Sequence, residues 1–368
     1  MRIALVTEFY YPHLGGVTEH VHNLALECRG RGHDVTVVTG NMDGQGQDPE
    51  FVRRVGTSRI VYSNGSFARV TTGWGLGRRV RDLLRERRID IVHVQDVIAP
   101  TLGLVASSAA WRLGLPVVAT SHTWFTRSLA YRFFRPLLQR RLDRVAACIA
   151  VSQPVVQAMS KYFRAAWEII PNGVNVEYFH PNGRRPTDYL GRGPRLLFLG
   201  RLDPRNGLDT VLEAMPMILA RYPNTRLIVA GDGPLRSHYE RRALPLGTSV
   251  RFVGQINDER PEYYGTADLY LCPTTKASFG ITLLEAMACG TPMIVSDITG
   301  FRELIDGGGE AVLVPKDDPG AWARTTVELI GDAGRREAMG AAGLAKAAHF
   351  AWPRVADRVL AVYDRVTR

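Results

Sequence analysis

Residues 181–199 read PNGRRPTDYLGRGPRLLFL, and this stretch divides the chain into two parts. Residues 181–194 are polar and rich in proline, glycine and arginine, which is typical of a linker. Residues 195–199 are a short apolar run, which is typical of a buried strand. Pro171, Asn172 and Gly173 end the element that precedes the linker. The stretch therefore predicts a domain boundary, with one domain over residues 1–180 and a second domain beginning at residue 181.

Strands and helices alternate on both sides of this linker. Apolar runs rich in Val, Ile and Leu predict strands at 3–7, 34–39, 89–94, 117–120 and 145–151, and then at 195–199, 227–230, 250–253, 269–272, 293–296 and 311–314. Helical patterns lie between them, for example at 16–31 and 211–221. The alternation predicts an α/β protein with two Rossmann-like, doubly wound domains. Such sheets bind ligands at the carboxyl ends of their strands, so we expect a cleft between the domains.

Composition agrees with a folded chain of this kind. A length of 368 residues fits about two domains, and 45% hydrophobic residues exclude a mainly disordered chain. The sequence contains no window of about 18 apolar residues, so no membrane-spanning helix is predicted. The first residues lack the pattern of a signal peptide, so we expect a cytoplasmic protein. The net charge of +10 indicates an anionic partner, such as a nucleotide, a nucleic acid or a membrane surface.

Four cysteines, Cys28, Cys148, Cys272 and Cys289, have no spacing typical of metal ligands. We therefore expect buried reduced thiols and no zinc site. No Asp-x-Asp metal signature is present either, so no metal ligands are predicted.

Several short motifs follow predicted strands. Gly15 and Gly16 precede a helix, and Arg201 follows the strand at 195–199. Backbone N–H groups at a helix N-terminus and an arginine fork both suit a phosphate, although a tight turn and a surface arginine explain each motif alone. Residues 231–234 (GDGP) and 253–256 (VGQI) also lie at strand ends.

The strongest local signal is residues 278–292, SFGITLLEAMACGTP. A glycine loop enters a helix that carries Glu285, while Gly290 and Pro292 end it. The N–H groups near Gly280 suit a diphosphate, and a carboxylate in this position suits the hydroxyls of a ribose.

Taken in order, GGV, GRLDP, GDGP, FVGQI and SFGITLLEAMACGTP resemble the retaining nucleotide-sugar glycosyltransferases of family 4, whose fold is GT-B. The resemblance covers essentially the whole chain. Within the family the chain is most similar to the phosphatidylinositol mannosyltransferases, through residues 62–69, 93–104, 119–123 and 170–176. The resemblance implies hexosyl transfer, with mannose as the expected sugar, from a GDP- or UDP-linked donor to a lipid-type acceptor such as phosphatidylinositol. It also implies nucleotide-sugar binding by residues 181–348 and a C-terminal helix, 349–368, that returns to the first domain.

The family's roles transfer to matching residues of this chain. His122 would bond the donor sugar near the reacting carbon, and Arg201 would neutralise the departing β-phosphate. The other implied donor contacts are Gly15, Gly16, Ile256, Phe279, Gly280, Ile281 and Glu285, and the implied acceptor contacts are Asn64, Ser66, Arg69 and Thr123. The family's proposed route is front-face transfer, in which the leaving phosphate oxygen takes the acceptor's proton and no cofactor or divalent metal is required.

Two residues depart from the family's pattern. Asn206 stands where the family usually has a lysine that contacts the donor, and Ala277 stands where it has the first of two glutamates. Lys276 adds an unusual cation beside Ala277. A cation there would replace the missing lysine, so we assign Lys276 to donor binding together with Asn206. A solvated Lys276 in a weakened enzyme is the alternative.

Two basic stretches in the first domain predict peripheral binding to the inner face of the cell membrane. Arg78, Arg81, Arg85 and Arg88 follow a helical spacing, with Val80, Leu83 and Leu84 on the other side. Residues 127–144 combine arginines with Tyr131, Phe133 and Phe134. A solvated helix face is the alternative to a membrane contact.

Glycosyl transfer from another donor or to a soluble acceptor is one alternative, and three other functions compete with glycosyl transfer. A sugar-nucleotide epimerase shares this fold, but its acid and base carboxylates are not evident. A pyridoxal-phosphate phosphorylase would need a cofactor lysine and usually a longer chain. A non-catalytic sugar-nucleotide binder is compatible with Asn206 and Ala277. Nucleic-acid binding is disfavoured because the arginines accompany no known reading motif.

Overall fold

The computed structural model describes residues 1–13, 15–44, 46–63, 66–96, 98, 102–125, 127–181, 186 and 193–368, with the backbone only for 62–63 and 66–68. The chain forms two compact units. Unit 1 comprises Met1–Asn172 and Trp352–Arg368, and unit 2 comprises Gly173–Ala351.

Unit 1 is built on an eight-stranded sheet with the order β4-β3-β2-β1-β5-β6-β7-β8 in the described residues. Its strands are β1 (Arg2–Val6), β2 (Asp34–Asn41), β3 (Val52–Ser63), β4 (Ser66–Thr72), β5 (Ile91–Gln95), β6 (Val117–Ser121), β7 (Ala147–Ala150) and β8 (Trp167–Ile169). Neighbouring strands are parallel except β3 and β4, which are antiparallel. The helices that connect them are α1 (Gly16–Gly30), α2 (Leu76–Glu86), α3 (Leu102–Arg112), α4 (Leu129–Leu142) and α5 (Gln153–Ser160).

Unit 2 is built on a parallel six-stranded sheet with the order β11-β10-β9-β12-β13-β14. Its strands are β9 (Arg195–Leu199), β10 (Arg226–Ala230), β11 (Val250–Gly254), β12 (Leu269–Cys272), β13 (Met293–Ser296) and β14 (Ala311–Val314). Its helices are α6 (Leu208–Arg221), α7 (Arg236–Ala243), α8 (Arg260–Thr266), α9 (Ile281–Ala288), α10 (Thr299–Arg302), α11 (Pro319–Gly331) and α12 (Ala333–Ala347). This strand order, 3-2-1-4-5-6, is that of a Rossmann fold.

The C-terminal helix α13 (Trp352–Thr367) packs on unit 1, as the family resemblance implied. Its buried residues Val355, Val359 and Val362 recur every three or four positions and join the core that contains Val21 and Leu24 of α1. Each such side chain contributes about 1.5–3 kcal/mol when it is fully buried. The helix therefore completes the hydrophobic core of unit 1 although it ends the chain.

The strands predicted from apolar runs are confirmed, but the hairpin β3–β4 and the short strand β8 were not predicted. Strand β3 of this hairpin has a polar sequence, VRRVGTSRIVYS, in which arginines interrupt the apolar pattern, and β4 is the edge strand of the sheet. Its pairing comes from backbone hydrogen bonds with a neighbouring strand, which no local run of residues reveals.

The unit boundaries differ from the predicted ones by a few residues. Residues 173–180 belong to unit 2. The Val174 N–H donates to the Phe350 carbonyl at 2.9 Å, and Val174 forms a parallel β-bridge with Ala351. Residues 349–351 also lie in unit 2, where Ala348–Phe350 form a 3-10 turn.

The predicted basic face of α2 is shorter than its spacing indicated. Val80 and Leu84 are buried as expected, and Arg78 and Arg85 are exposed. Arg88, however, lies beyond the end of the helix with a left-handed φ of 50°, so it does not continue the helical face. Arg81 is half-buried next to Asp82.

All four cysteines are buried free thiols, as expected from their spacing. The described helices include none with the length and apolar character needed to cross a bilayer.

Candidate active site

In unit 1, the predicted residue His122 follows β6 and is half-buried. Its Nε2 lies 2.6 Å from Oε1 of Gln95, at the end of the neighbouring strand β5. Since an amide oxygen only accepts, Nε2 carries the proton. Burial, together with the nearby His20 and His93, holds the pKa of His122 well below its ordinary value. His122 is therefore a neutral imidazole whose Nδ1 can accept a hydrogen bond from a ligand hydroxyl.

The ring of His20 packs against the ring of His122. The centroids of the two rings are 4.8 Å apart, and Nδ1 of His20 bonds Oδ1 of Asn172 at 2.9 Å. Burial lowers the pKa of His20 to about 4, so this ring is also neutral. Nε2 of His20 is buried and has no hydrogen-bond partner among the described residues.

Asp96 is a site residue that no sequence motif indicated. It follows β5 with a left-handed φ of 77°, a conformation that a residue other than glycine rarely adopts. Its carboxyl accepts a hydrogen bond from the side chain of Thr123, and burial raises the pKa of Asp96 to about 6. Thr123, a predicted acceptor contact, is itself exposed. The signal in the sequence was the pair Gln95-Asp96 directly after a buried strand.

A second buried carboxylate, Glu8, lies just after β1. It accepts hydrogen bonds from the Leu102 N–H and, at 2.5 Å, from the Thr71 hydroxyl. Burial raises the pKa of Glu8, and the positive charge of Arg69 opposes this shift. The predicted acceptor contact Arg69 therefore lies near the carboxyl end of the central strand β1.

The remaining predicted residues of unit 1 are Gly15, Gly16, Asn64 and Ser66. Gly15 precedes α1 in an extended conformation, and among the described residues a Cβ there would come near His13, at 3.6 Å. Gly16 is the first residue of α1. Asn64 lies outside the described residues, and only the backbone of Ser66, in β4, is described.

In unit 2, backbone hydrogen bonds join the segments at the carboxyl ends of β9, β10 and β11. Gly231 N–H donates to the Gly254 carbonyl at 2.7 Å, and Leu202 N–H donates to the Asp232 carbonyl at 2.9 Å. A Cβ on Gly231, whose φ is 136°, would lie 2.0 Å from the carbonyl oxygen of Gly200. Only glycine allows this approach, so the loops share one compact surface at the carboxyl edge of the sheet.

Arg201 extends from this surface. Its side chain is 42% exposed, and its Nε lies 3.9 Å from Asp203. Asn206 does not extend beside it, because its Nδ2 donates to the Arg201 carbonyl at 2.6 Å. Asn206 therefore fixes the loop that presents Arg201.

Lys276 is exposed and lies next to this loop in the structure. The preceding residue, Thr275, bonds the Arg205 carbonyl through its N–H at 2.7 Å and its hydroxyl at 3.0 Å. On the other side, a Cβ on Gly300 would lie 1.9 Å from the Ala277 carbonyl oxygen. The backbone around Lys276 is thus held against the Arg201–Asn206 loop.

The glycine loop before α9 has the predicted form. Gly280 has a φ of 110°, and a Cβ there would lie 2.9 Å from the Phe301 ring. Ile281 begins the helix, and Phe279 is buried with its ring 6.1 Å from that of Phe350. The free N–H groups of the first turn can bind an anion.

Glu285 is 2% exposed, which the sequence did not indicate. Its Oε1 accepts from Arg260 at 2.6 Å, and its Oε2 accepts from the Tyr264 hydroxyl at 3.0 Å. Both partners come from α8, where no motif pointed to them. The carboxylate is therefore charge-paired and fixed in place, and Ile256, also buried, precedes α8 in the loop after β11.

Among the described residues, no group of three His, Cys, Asp or Glu side chains is arranged to hold a metal ion.

The shifted pKa of Asp96 predicts a pH-dependent stability. Between the ordinary value of about 4 and the folded value of about 6, the folded state binds more protons, so this carboxyl lowers stability as pH rises. The change Asp96→Asn removes this effect. We expect its free energy of unfolding, relative to wild type, to rise by about 2–3 kcal/mol between pH 4 and pH 8 in urea denaturation. Asp43→Asn, at an exposed carboxylate of unit 1, is the control, and parallel profiles for Asp96→Asn and wild type would contradict the assignment.

Comparison with known proteins identifies the family. Residues 14–178 match glycosyltransferase family 4, and residues 193–332 match the glycosyl transferases group 1. The chain is 34% identical over its whole length to the phosphatidyl-myo-inositol mannosyltransferase of Mycobacterium tuberculosis, covering 97% of that protein. It is 32% identical to the enzyme of the same name from Mycolicibacterium smegmatis, covering 100% of this chain and 94% of the relative.

Solved structures agree on the fold. Sucrose-phosphate synthase from Thermosynechococcus elongatus matches with a TM-score of 0.78 at 22% identity, over 99% of this chain and 98% of that one. HepE of Anabaena, solved with UDP and glucose, matches with a TM-score of 0.79 at 18% identity, over 98% and 99% of the two chains. With its two parallel-sheet α/β units of the GT-B type, the chain belongs to the family 4 glycosyltransferases.

Proposed function

We propose that the protein transfers mannose from GDP-mannose to phosphatidylinositol. The observation that carries this proposal is the 34% identity to a phosphatidyl-myo-inositol mannosyltransferase over the full length of the chain. A further relative, 27% identical over 98% of the chain, is a GDP-mannose-dependent phosphatidylinositol dimannoside mannosyltransferase. Hexosyl transfer is the activity of the family, while the donor and the acceptor are the parts that we propose.

The geometry of each unit supports a division of labour. In unit 2, Arg201 and the first turn of α9 offer positive groups for the donor diphosphate. In unit 1, the neutral His122 can accept a hydrogen bond from a sugar hydroxyl. Arg69, near Glu8, supplies positive charge for the acceptor's phosphate.

We propose transfer with retention of configuration and without a metal. The bond between the sugar's anomeric carbon and the phosphate oxygen breaks, and the acceptor hydroxyl oxygen bonds the same face of that carbon. The acceptor's proton moves to the departing phosphate oxygen. The protein then acts by positioning and by stabilising the negative charge on the diphosphate, for which Arg201 is the main side chain.

The test is product analysis with GDP-mannose labelled in the sugar, in the presence of phosphatidylinositol and a chelator. We expect label in the lipid fraction, and Arg201→Ala should lower kcat/KM by about 30- to 1000-fold, on the order of 2–4 kcal/mol for one lost preorganised donor.

Other outcomes separate the competing functions. Label in a different nucleotide sugar would indicate an epimerase, and donor binding without turnover would indicate a binding protein. Wild-type turnover in Arg201→Ala would contradict the role of that arginine. Arg241→Ala, at an exposed arginine of α7 in unit 2, is the matched control.

We also propose that Lys276 supplies the positive charge that Asn206 lacks. Its loop is fixed to the loop that carries Arg201, through Thr275 and Arg205. From this position a four-carbon side chain can reach a diphosphate held by Arg201. We expect Lys276→Ala to raise the Kd for GDP-mannose about tenfold or more, because it removes one charged contact to the diphosphate.

The second variant in this series is Asn206→Lys in the Lys276→Ala background, which should restore much of the donor affinity. Isothermal titration with GDP and GDP-mannose measures both changes. If Lys276→Ala binds the donor as wild type does, the compensation is refuted and the departures favour an altered donor or a non-catalytic role.

Finally, we propose that unit 1 binds the inner face of the cell membrane through α2. Arg78 and Arg85 are exposed there, while Val80 and Leu84 anchor the helix to the core. Each basic residue near an anionic surface contributes about 1 kcal/mol.

Replacing both Arg78 and Arg85 by Ala should therefore weaken binding to phosphatidylserine-containing vesicles about 30-fold at low salt, measured by sedimentation. The paired change of Arg324 and Arg335 to Ala, at exposed arginines of unit 2, is the control. No binding of the wild-type protein at low salt would refute this contact.

A further inference from the structure

Helix α4 (Leu129–Leu142) exposes apolar side chains on one face. Leu129 is 81% exposed, Phe133 is 78% exposed, Phe134 is 51% exposed and Leu137 is 54% exposed. Leu129, Phe133 and Leu137 are four residues apart, so they lie in one row along the helix, and the Phe134 ring lies 5.0 Å from that of Phe133. We call these four residues the α4 ridge.

The opposite face of α4 holds the helix on unit 1. Tyr131 packs against the rings of Phe125 at 5.2 Å and Phe163 at 5.3 Å. Leu142, in the last turn, is the only fully buried residue of the helix. The helix is therefore well attached along its inner face, and its ridge is left without cover from the described part of the chain.

Arginines surround the ridge. Residues 127–144 contain six arginines against the single acid Asp143, and Arg127, Arg132, Arg135 and Arg140 are exposed. A row of large apolar side chains between arginines suits the boundary between anionic headgroups and acyl chains. It suits a soluble protein partner less well, because such an interface usually has few charges near its apolar centre.

A second exposed apolar group lies beside the basic helix α2. Trp74, just before α2, is 98% exposed, and its carbonyl accepts from Arg79 at 2.6 Å. Both α2 and α4 adjoin α3: α2 packs along it, Arg141 donates to Ser108 at 2.9 Å, and Arg144 stacks on Trp111 at 4.4 Å. The two basic helices thus flank the same helix, and each carries an apolar group in solvent.

We propose that the α4 ridge inserts into the lipid bilayer, with Trp74 as a second insertion point, while the arginines of α2 and α4 contact anionic headgroups. This inference deepens the proposed function and rests on it, since a lipid acceptor requires access to the membrane surface. Attraction by arginines is screened by salt, whereas burial of apolar side chains is not. The ridge therefore gives the protein a membrane contact that persists at high salt.

The test compares two variants by sedimentation with vesicles of phosphatidylcholine and phosphatidylserine, at low salt and at 1 M salt. Wild type should keep part of its binding at 1 M salt. The double change Phe133→Ser and Leu137→Ser should abolish that salt-resistant part and lower the low-salt affinity about tenfold or more. The double change of Arg78 and Arg85 to Ala should lower low-salt binding and keep the salt-resistant part.

Controls separate insertion from loss of folding. Leu244→Ser, at a 74% exposed leucine of unit 2, should bind vesicles as wild type does. The ridge variant should keep the wild-type thermal shift on addition of GDP, because α4 carries none of the donor contacts. An environment-sensitive fluorophore on a cysteine introduced at position 133 should shift to the blue with vesicles, and the same label at position 244 should not.

Three results would overturn the proposal. The first is vesicle binding by the ridge variant that equals wild type at both salt concentrations. The second is a wild-type dimer that the ridge variant converts to a monomer, which would make the ridge a contact between copies of this chain. The third is unchanged fluorescence of the label at position 133. If wild type transfers mannose and any of these results is found, only the membrane insertion of the α4 ridge is refuted. If wild type transfers no mannose, the proposed function is refuted.

Discussion

Parallel pairing is the constraint on which the rest of this structure depends. Parallel strands bring their carboxyl ends to one edge of a sheet, and the loops that follow must then pass each other at close range. In unit 2 the approach is so close that Gly231 lies against the Gly200 carbonyl, with no space for a Cβ. In unit 1 the same geometry places Gln95, at the end of β5, against His122, after β6. The candidate residues meet because their strands are neighbours in space.

Burial then sets the charge of the groups that this edge collects. The rings of His20 and His122 are neutral since a charged imidazole would lose its hydration there. The same effect favours the protonated form of Asp96 and Glu8. Glu285 is different, because Arg260 and Tyr264 donate to its two oxygens and compensate its burial. In unit 1, burial therefore keeps both imidazoles neutral and raises the pKa of both carboxyls, while unit 2 holds a charge-paired Glu285 and the exposed cation of Arg201.

Helices α2 and α4 of unit 1 differ in which side chains they expose to solvent. In α2, Leu76, Val80 and Leu84 face the core, which is the usual amphipathic arrangement. Solvent is on the side of Arg78, Arg79 and Arg85. In α4 few residues of the inner face are buried against unit 1, and large apolar side chains lie on the outer face. Since exposed apolar rows of this kind are costly in water, their presence on a basic helix points to an apolar environment in the working protein.

The sequence by itself determined the two-unit α/β architecture, most strands, and the glycine loop before α9, because these depend on apolar runs and on residues with special backbone freedom. Glycines at positive φ, such as Gly280, can be predicted from the sequence for the same reason. The sequence did not indicate the polar edge hairpin β3–β4, the end of the basic face before Arg88, or the partners of Glu285. It also did not indicate Asp96 as a site residue, although Asp96 directly follows a buried strand. Only the tertiary structure decided that Asn206 is turned into its own loop, that Arg260 and Tyr264 reach Glu285, and that no described part of the chain covers the α4 ridge. These are contacts, or missing contacts, between residues far apart in the chain, and local periodicity carries no information about which distant side chain fills a given space.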